Sequence, residues 1–310
     1  MNHFITIADH SKETIQHILD VGLKLRAERE RGKRNQPVLD GQTLAMIFEK
    51  PSLRTRVSFE QAMFELGGQS IVLDQSQVGL GKRESVADVT RVLCGMVQGI
   101  AARVFEHEKL EQMARHGDKP VINMLSDYTH PCQALADVMT MIDAFAPDTH
   151  DLTGRTLAFV GDGNNVVRSL AAICGRLGMN FVVASPGGYE LEQAYVDRIM
   201  ADSPNMNFDM TRDAKQAVRD ADAIYTDTFV SMGQEAEKQT RLRAFEDYRL
   251  TESLLAEAPD HAIVLHCLPA YRGVEITDEV IDGPRSRVFP QAHNRLHAQK
   301  GLLAVLMGGQ

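Results

Sequence analysis

Short apolar runs alternate with amphipathic stretches along most of this chain. In the first half, the apolar runs predict strands at Leu44–Phe48, Ile71–Leu73, Gly99–Val104 and Val121–Asn123. In the second half, they predict strands at Thr156–Val160, Phe181–Ala184, Ala223–Thr226 and Ala262–Leu265. This alternation is typical of parallel sheets covered by helices.

The stretches between the strands carry apolar residues at helical spacing. Helices are predicted at about Arg56–Leu66, from Ser85, from Pro131, from Val166, and from Asn294 to about Leu306. The residues expected on their inward faces are Phe59, Met63 and Leu66, then Val86, Val89, Val92 and Leu93, then Leu135, Val138 and Ile142. Pro131 suits a first helical turn, because the N–H that proline lacks would have no acceptor within the helix there.

A polar, proline-containing stretch at residues 145–151 predicts a domain boundary. We therefore expect an α/β fold of two doubly wound parallel-sheet domains, with the active site in the cleft between them. The first domain would span residues 1–145, with the C-terminal helix 294–310 packing back on it, and the second would span 151–290. Ligands of such sheets bind at the carboxyl ends of the strands.

Composition narrows the class of protein. The chain has 310 residues, of which 44% are hydrophobic and 24% charged, enough for two globular domains. Its net charge of −9 argues against nucleic acid or an anionic membrane as a partner. Four scattered cysteines without a CxxC pair fit a reducing compartment. No signal-peptide core and no apolar run near ~20 residues is present, so we expect a cytoplasmic protein.

Two motifs in the first half follow predicted strands and open predicted helices. Ser52, Arg54 and Thr55 would lie at a helix N-terminus, where free N–H groups and a guanidinium favour a phosphate. The alternative is an ordinary capped helix start. In the second motif, a neutral His130 would donate to an oxyanion and Gln133 would accept from a substrate amide. The alternative for His130 is a structural histidine.

A G-x-G turn at Gly161–Gly163 invites a dinucleotide interpretation. However, Val166 replaces the third glycine, and the second strand ends in Ser185 and Pro186 without an acidic residue for a ribose. We therefore do not expect NAD. Two asparagines, Asn164 and Asn165, suit a small polar ligand instead.

Two later motifs also follow strands. Asp227 would pair with a substrate ammonium, or alternatively cap a loop. Cys267 beside His266 suggests a nucleophile, but a buried structural cysteine is an equal alternative.

Together, these motifs resemble those of the transcarbamylases, and among them the anabolic ornithine carbamoyltransferases. The resemblance runs from about Lys50 to Lys300. It is carried by Ser52–Thr55, His130–Gln133, Asn164–Asn165, Asp227–Gly233, His266–Pro269 and Asn294–Lys300. It implies transfer of a carbamoyl group from carbamoyl phosphate to the side-chain amine of ornithine, without a metal or organic cofactor. It also implies a homotrimer and domain closure on the second substrate.

The resemblance assigns roles residue by residue. The catalytic residues would be Arg54, His130, Asp227 and Cys267. Carbamoyl phosphate would be bound by Ser52, Leu53, Arg54, Thr55, Arg103, His130, Gln133, Cys267, Leu268 and Arg295. Ornithine would be bound by Asn165, Asp227, Ser231 and Met232.

The sequence also departs from the family pattern. Leu53 stands where the family usually has threonine, and Gly79 where it usually has glutamine or histidine, with Gln77 two residues earlier. Two alternatives therefore stay open: a transcarbamylase for another amine, such as an acylated ornithine or putrescine, and a regulatory homologue that has lost turnover.

Overall fold

The computed structural model describes residues 2–230 and 234–309, apart from the side chain of Glu235. It forms two compact units, one of Met1–Met139 with His293–Gln310, the other of Thr140–Ala292. Within the described ranges, no helix is long and apolar enough to cross a membrane.

Each unit is built on one parallel sheet. The strands are β1 Thr43–Phe48, β2 Gln69–Asp74, β3 Gly99–Arg103, β4 Val121–Leu125, β5 Thr156–Val160, β6 Asn180–Ala184, β7 Phe208–Thr211, β8 Ala223–Thr226 and β9 Ile263–His266. The first unit has the order β2-β1-β3-β4, and the second has β7-β6-β5-β8-β9. The predicted α/β class with two parallel sheets is confirmed.

Helices connect and flank the strands. They are α1 Lys12–Glu30, α2 Leu53–Glu65, α3 Gln75–Val78, α4 Val86–Cys94, α5 Glu108–His116, α6 Pro131–Phe145, α7 Asn165–Leu177, α8 Gln193–Asp202, α9 Ala214–Val218, α10 Lys238–Ala244, α11 Glu252–Leu255, α12 Asp278–Ile281 and α13 Val288–Leu306. Short 3₁₀ turns lie at Ile7–Asp9, Glu235–Glu237 and Glu246–Tyr248. The boundary between the units falls within α6 and within α13.

In the first unit, burial explains the apolar pattern of the strands. Every residue of the central strand β1 is buried, which accounts for its unbroken apolar run, whereas the edge strand β2 is partly exposed. Helix α1 approaches the later part of α13 so closely that a Cβ added to Gly22 would lie 2.8 Å from the His297 carbonyl oxygen. Glycine is required there by the close approach of the two backbones.

Some boundaries differ from the predicted ones. Helix α13 begins at Val288, six residues before the predicted start at Asn294, and Pro290 lies inside its first turn, where a missing N–H costs nothing. Helix α2 begins at Leu53 and not at Arg56, so Arg54 and Thr55 belong to the helix itself. Val92 was expected to be buried but is 53% exposed.

Candidate active site

The carboxyl ends of β1, β3 and β4 lie side by side in the first unit. Phe48, the last residue of β1, pairs with Arg103, the last residue of β3, and Arg103 pairs in turn with Leu125 of β4. The register shifts between Ala102 and Arg103, an irregularity of the kind that redirects a side chain. The sheet order changes direction between β1 and β3, so this edge is where a ligand is expected.

The start of α2 supplies backbone donors at this edge. Ser52 is the N-cap residue, with extended backbone, and the first turn contains Arg54, the buried Thr55 and no acidic residue. The N–H groups of a first helical turn have no acceptor within the helix, and the helix dipole favours an anion there. The Ser58 hydroxyl donates to the Arg54 carbonyl oxygen at 2.6 Å, within the second turn.

A buried hydrogen-bond network joins α2, α6 and α13. Arg295 Nη1 donates to Gln133 Oε1 at 2.6 Å, and Arg295 Nη2 donates to Thr55 Oγ1 at 3.2 Å. Gln133 Nε2 donates to Asp137 Oδ1 at 2.7 Å. These four side chains are at most 3% exposed. Three of them were expected at the site, whereas Asp137 was not singled out by the sequence.

His130 is held in its neutral form. Burial and three neighbouring guanidinium groups keep the pKa of its imidazole well below the usual value of 6.5. The guanidinium groups belong to Arg295, Arg103 and Arg54, in order of their effect. A neutral imidazole between several cations can donate an N–H without adding a further positive charge.

Lys50 is a cation at this site that the sequence prediction missed. It is 8% exposed, and its ammonium lies 4.1 Å from the centre of the Phe105 ring. Burial, and then the charge of Arg103, lowers its pKa. Its position at the end of a buried strand, beside the Ser52–Thr55 motif, was the available signal.

Cys132 is a buried cysteine in the first turn of α6. Burial raises the pKa of its thiol to about 12, and its Sγ contacts the Asn123 carbonyl oxygen at 3.2 Å. It therefore helps to fix the start of α6 below His130.

In the second unit, the ends of β5, β8 and β9 bring three polar side chains together. Asn164 Nδ2 donates to Asp227 Oδ2 at 2.9 Å, and Cys267 Sγ lies 3.0 Å from Asp227 Oδ1. Asn164 is also the N-cap of α7, and its Oδ1 accepts from the N–H groups of Val166 and Val167. One asparagine therefore both starts a helix and fixes the Asp227 carboxylate, a double role that the sequence did not reveal.

His266 does not activate Cys267 in the manner suggested by their adjacency. Its Nδ1 accepts from the Leu268 N–H at 2.9 Å, and its Nε2 donates to Glu275 Oε1 at 3.1 Å, deep in the core. These bonds hold Leu268 at a φ of 56°, a conformation unfavourable for a branched side chain. His266 thus fixes the backbone that carries Cys267 and Leu268.

A buried ion pair anchors the chain that follows Asp227. Arg241 Nη1 donates to Asp162 Oδ2 at 3.0 Å and to the Phe229 carbonyl oxygen at 3.3 Å. Burial raises the pKa of the Asp162 carboxyl, while Arg241 opposes that change. Arg241 was not predicted, because α10 shows no local signal that one of its arginines points inward.

Of the residues expected to bind ornithine, Asp227 is buried and Asn165 begins α7 with a partly exposed side chain. Ser231 and Met232 lie outside the described residues. Cys267 and Leu268, which were also expected to bind carbamoyl phosphate, belong to the second unit.

The described side chains offer one group with the composition of a metal site. Asp227, His266 and Cys267 each present one ligand atom, all within 4.8 Å of one another. However, His266 Nδ1 already accepts the Leu268 N–H, so a metal there would break a bond that orders the loop. The glycine turn is likewise explained without a dinucleotide, because a Cβ on Gly163 would lie 2.6 Å from the backbone at Glu190.

The fold and these side chains define a class: an α/β protein with a cluster of cationic side chains on one parallel sheet and a buried carboxylate beside a thiol on the other. Residues 2–143 match the carbamoyl-P binding domain of aspartate/ornithine carbamoyltransferase, and residues 153–306 match its Asp/Orn binding domain. The chain belongs to the aspartate/ornithine carbamoyltransferase family.

Individual relatives are similar over nearly their whole length. An ornithine carbamoyltransferase of Methanopyrus kandleri is 47% identical, covering 99% of this chain and 97% of the relative. The ornithine carbamoyltransferase of Bacillus subtilis is also 47% identical, covering 99% of this chain and 94% of the relative. The structure of ornithine carbamoyltransferase from Pyrococcus furiosus is 44% identical with a TM-score of 0.94, covering 100% of this chain and 98% of that one. The anabolic enzyme of Campylobacter jejuni has a TM-score of 0.91 at 35% identity, covering 100% of both chains.

Proposed function

We propose that this protein transfers the carbamoyl group of carbamoyl phosphate to the side-chain amine of L-ornithine, releasing L-citrulline and phosphate in arginine biosynthesis. The observation that carries the choice of acceptor is the buried Asp227 carboxylate beside the Cys267 thiol. A buried anion attracts a substrate ammonium and repels a dicarboxylate such as aspartate. The names of the relatives support the same acceptor.

Carbamoyl phosphate binds through the first unit. Its phosphate is held by the N–H groups at the start of α2, by the Ser52 and Thr55 hydroxyls, and by Arg54 and Arg103. This local cluster of cations allows a protein of net charge −9 to bind an anion. Leu53, at the threonine position of the family pattern, contributes its backbone alone.

The carbamoyl group is oriented by the network around Arg295. Arg54, Thr55 and neutral His130 donate to the carbonyl oxygen, on which negative charge develops during attack. Gln133 Oε1 accepts one hydrogen bond from Arg295 and has a second lone pair for the N–H of the carbamoyl group.

Ornithine binds through the second unit, where Asp227 pairs with an ammonium and Asn165 binds polar groups of the amino acid. Ser231 and Met232 complete this set in the proposal. The side-chain amine of ornithine is protonated at neutral pH, with a reference pKa of about 10.4 like that of lysine. Asp227 and Cys267 are the groups that take the proton before attack.

The reaction then proceeds by direct displacement. The amine lone pair forms a C–N bond to the carbamoyl carbon, giving a tetrahedral oxyanion. The oxyanion collapses, the C–O bond to phosphate breaks, and inorganic phosphate leaves with that electron pair. The attacking nitrogen gives its second proton to the departing phosphate as citrulline forms, and no covalent enzyme intermediate is involved.

We propose further that the enzyme is a cytoplasmic homotrimer that closes on the second substrate. Free cysteines at all four positions support a reducing compartment. For the trimer, the support is a set of large apolar side chains of the first unit that are exposed in the single chain. They are Leu53, Val57 and Phe64 of α2, Ile71 of β2, Val92 of α4, and Met96 just after α4. Exposed apolar surface next to a sheet edge favours a contact between copies.

The proposal is tested by measuring citrulline formation with carbamoyl phosphate and ornithine. Aspartate, putrescine and N-acetylornithine serve as competing acceptors. We expect ornithine to give the highest kcat/KM, and Arg54→Ala to lower that value at least about thirtyfold. A higher kcat/KM with another amine would replace ornithine as the acceptor. Binding of carbamoyl phosphate without transfer to any acceptor would indicate a regulatory homologue.

A further inference from the structure

A carboxylate deep in α6 lies directly behind the proposed carbamoyl site. Asp137 stands one turn after Gln133, is 1% exposed, and accepts the Gln133 Nε2–H bond at 2.7 Å. Nothing in the reaction above uses it. Burying a carboxylate to this degree costs free energy unless its oxygens accept hydrogen bonds from neighbouring groups.

The polarity of the two neighbours fixes the orientation of the Gln133 amide. An ionised carboxylate only accepts hydrogen bonds, and a guanidinium only donates them. Asp137 therefore takes the amide N–H, and Arg295 donates to the amide oxygen at 2.6 Å. The reversed orientation would place N–H against N–H at Arg295 and oxygen against oxygen at Asp137. Both contacts would be repulsive.

This orientation determines which ligand group Gln133 can recognise. Its amide oxygen is turned to the side of Arg295, whose other nitrogen reaches Thr55 at the start of α2. An oxygen there accepts a hydrogen bond from an N–H of the ligand. A reversed amide would offer an N–H and would favour ligands without that donor.

We propose that Asp137 is a positioning residue that makes the enzyme select a carbamoyl group over other acyl phosphates. The inference rests on the proposed role of Gln133 in binding the carbamoyl amide. Acetyl phosphate is the appropriate comparison, because it has a methyl group where carbamoyl phosphate has an NH₂ group. A site built to accept a hydrogen bond discriminates against an analogue that lacks the donor.

The test compares three ligands in competition binding: carbamoyl phosphate, acetyl phosphate and inorganic phosphate. Asp137→Ala and Asp137→Leu remove the acceptor, and with it one of the two contacts that fix the orientation of the Gln133 amide. We expect each variant to lower the ratio of carbamoyl phosphate to acetyl phosphate affinity by about tenfold. Inorganic phosphate affinity should remain unchanged, because the phosphate cradle is intact. Asp137→Asn, which keeps an oxygen at the same place, should preserve most of the ratio.

A matched control removes a buried hydrogen bond elsewhere in the same unit. Thr90 in α4 is fully buried, and its hydroxyl donates to the Val86 carbonyl oxygen at 2.7 Å. Thr90→Ala should lower the thermal stability and leave the ligand ratio unchanged. If the Asp137 variants lose affinity for all three ligands equally, Asp137 is merely structural and the proposal is wrong.

A double-mutant cycle isolates the route through Gln133. In a Gln133→Ala background, Asp137→Ala should cause no further change in the ligand ratio. A further change would show that Asp137 acts by another route, which contradicts the inference. If the unmodified protein binds carbamoyl phosphate without preferring it over acetyl phosphate, the inference is wrong. If it does not bind carbamoyl phosphate at all, the proposed function fails instead.

Discussion

In the proposed mechanism, Asp227 is the residue on which the choice of acceptor depends most directly. Its carboxylate is 8% exposed and is fixed by Asn164 and by Cys267. Asp227→Asn preserves the shape and removes the charge. We expect the KM for ornithine to rise about 10- to 100-fold, the value of a charge-assisted hydrogen bond. Carbamoyl phosphate affinity, measured by calorimetry, should stay the same.

A control for the loss of charge is Asp209→Asn, because Asp209 is exposed on the edge strand β7. It should leave both substrates unaffected. A collapse of carbamoyl phosphate affinity in Asp227→Asn, with ornithine binding intact, would contradict the division of the substrates between the two units.

The position of Cys267 suggests a covalent nucleophile, but the proposed transfer does not require one. Carbamoyl phosphate is already activated, and a deprotonated amine attacks without a covalent step. We expect Cys267→Ser to retain measurable citrulline synthesis with weaker ornithine binding and an altered pH dependence. Cys94→Ser, at a partly exposed cysteine in α4, should behave like the unmodified enzyme.

The same hypothesis has a direct readout by intact-mass measurement. Incubating the protein with carbamoyl phosphate alone should give no adduct. A gain of one carbamoyl group on Cys267, formed and discharged at the rate of turnover, would overturn direct attack and require a ping-pong mechanism.

At the scale of an element, α13 is tied to the first unit by buried polar groups. Lys300 is fully buried, and its ammonium donates to Asn35 Oδ1 at 2.7 Å and to Glu65 Oε2 at 2.8 Å. Arg26 Nη1 donates to Asn294 Oδ1 at 2.9 Å. Because Arg295 lies between these anchors, they help to hold its guanidinium against Gln133 and Thr55.

The same helix makes the fold sensitive to acid. Burial, then the charges of Lys300, Arg26 and Arg29, lowers the pKa of His297 to about 3. Its imidazole stays neutral in the folded chain, whereas the unfolded chain takes up a proton near pH 6.5. The unfolded state therefore binds more protons below pH 6.5, and the free energy of unfolding falls as the pH falls from there towards 3.

This fall in the free energy of unfolding with falling pH can be measured. Between pH 7.5 and 5.5, His297 should account for a loss of about 1.4 kcal/mol in the free energy of unfolding. In denaturant titrations at the two pH values, the free energy of unfolding of His297→Gln should therefore fall by about 1.4 kcal/mol less than that of the unmodified protein. Equal losses in both proteins would mean that His297 is protonated in the folded state.

At the scale of the whole molecule, the exposed apolar side chains of the first unit are the feature that a single chain leaves unexplained. Phe64 on α2 is 74% exposed. We expect Phe64→Glu to convert a trimer into monomers in analytical ultracentrifugation, because a charge would be buried at the contact. Phe289→Glu changes a 49% exposed aromatic residue of the second unit and should leave the trimer intact. A monomeric unmodified protein would contradict the proposed assembly.

The sequence by itself determined the central strands, because a central parallel strand is buried on both faces and must be apolar throughout. The edge strand β7 was missed, because its residues are only partly buried and form no apolar run. The strands at Thr156–Val160 and Ala223–Thr226 were predicted to the residue. The start of α13 was missed because the first turn of a helix has no fixed apolar pattern. The division into domains and the cleft between them stay predictions.

The sequence also determined the motifs at the strand ends, because parallel strands deliver their carboxyl ends to one edge. Only the tertiary structure decided which side chains meet there. Arg295 reaches Gln133 across 162 positions of the chain, and Asn164 reaches Asp227 across 63. Asp137 carries no local signal, since an acid in a helix is ordinarily solvated, and Lys50 has only its position beside the Ser52–Thr55 motif, which does not reveal that it is buried. Their burial, and hence their chemistry, depends on packing against residues distant in sequence.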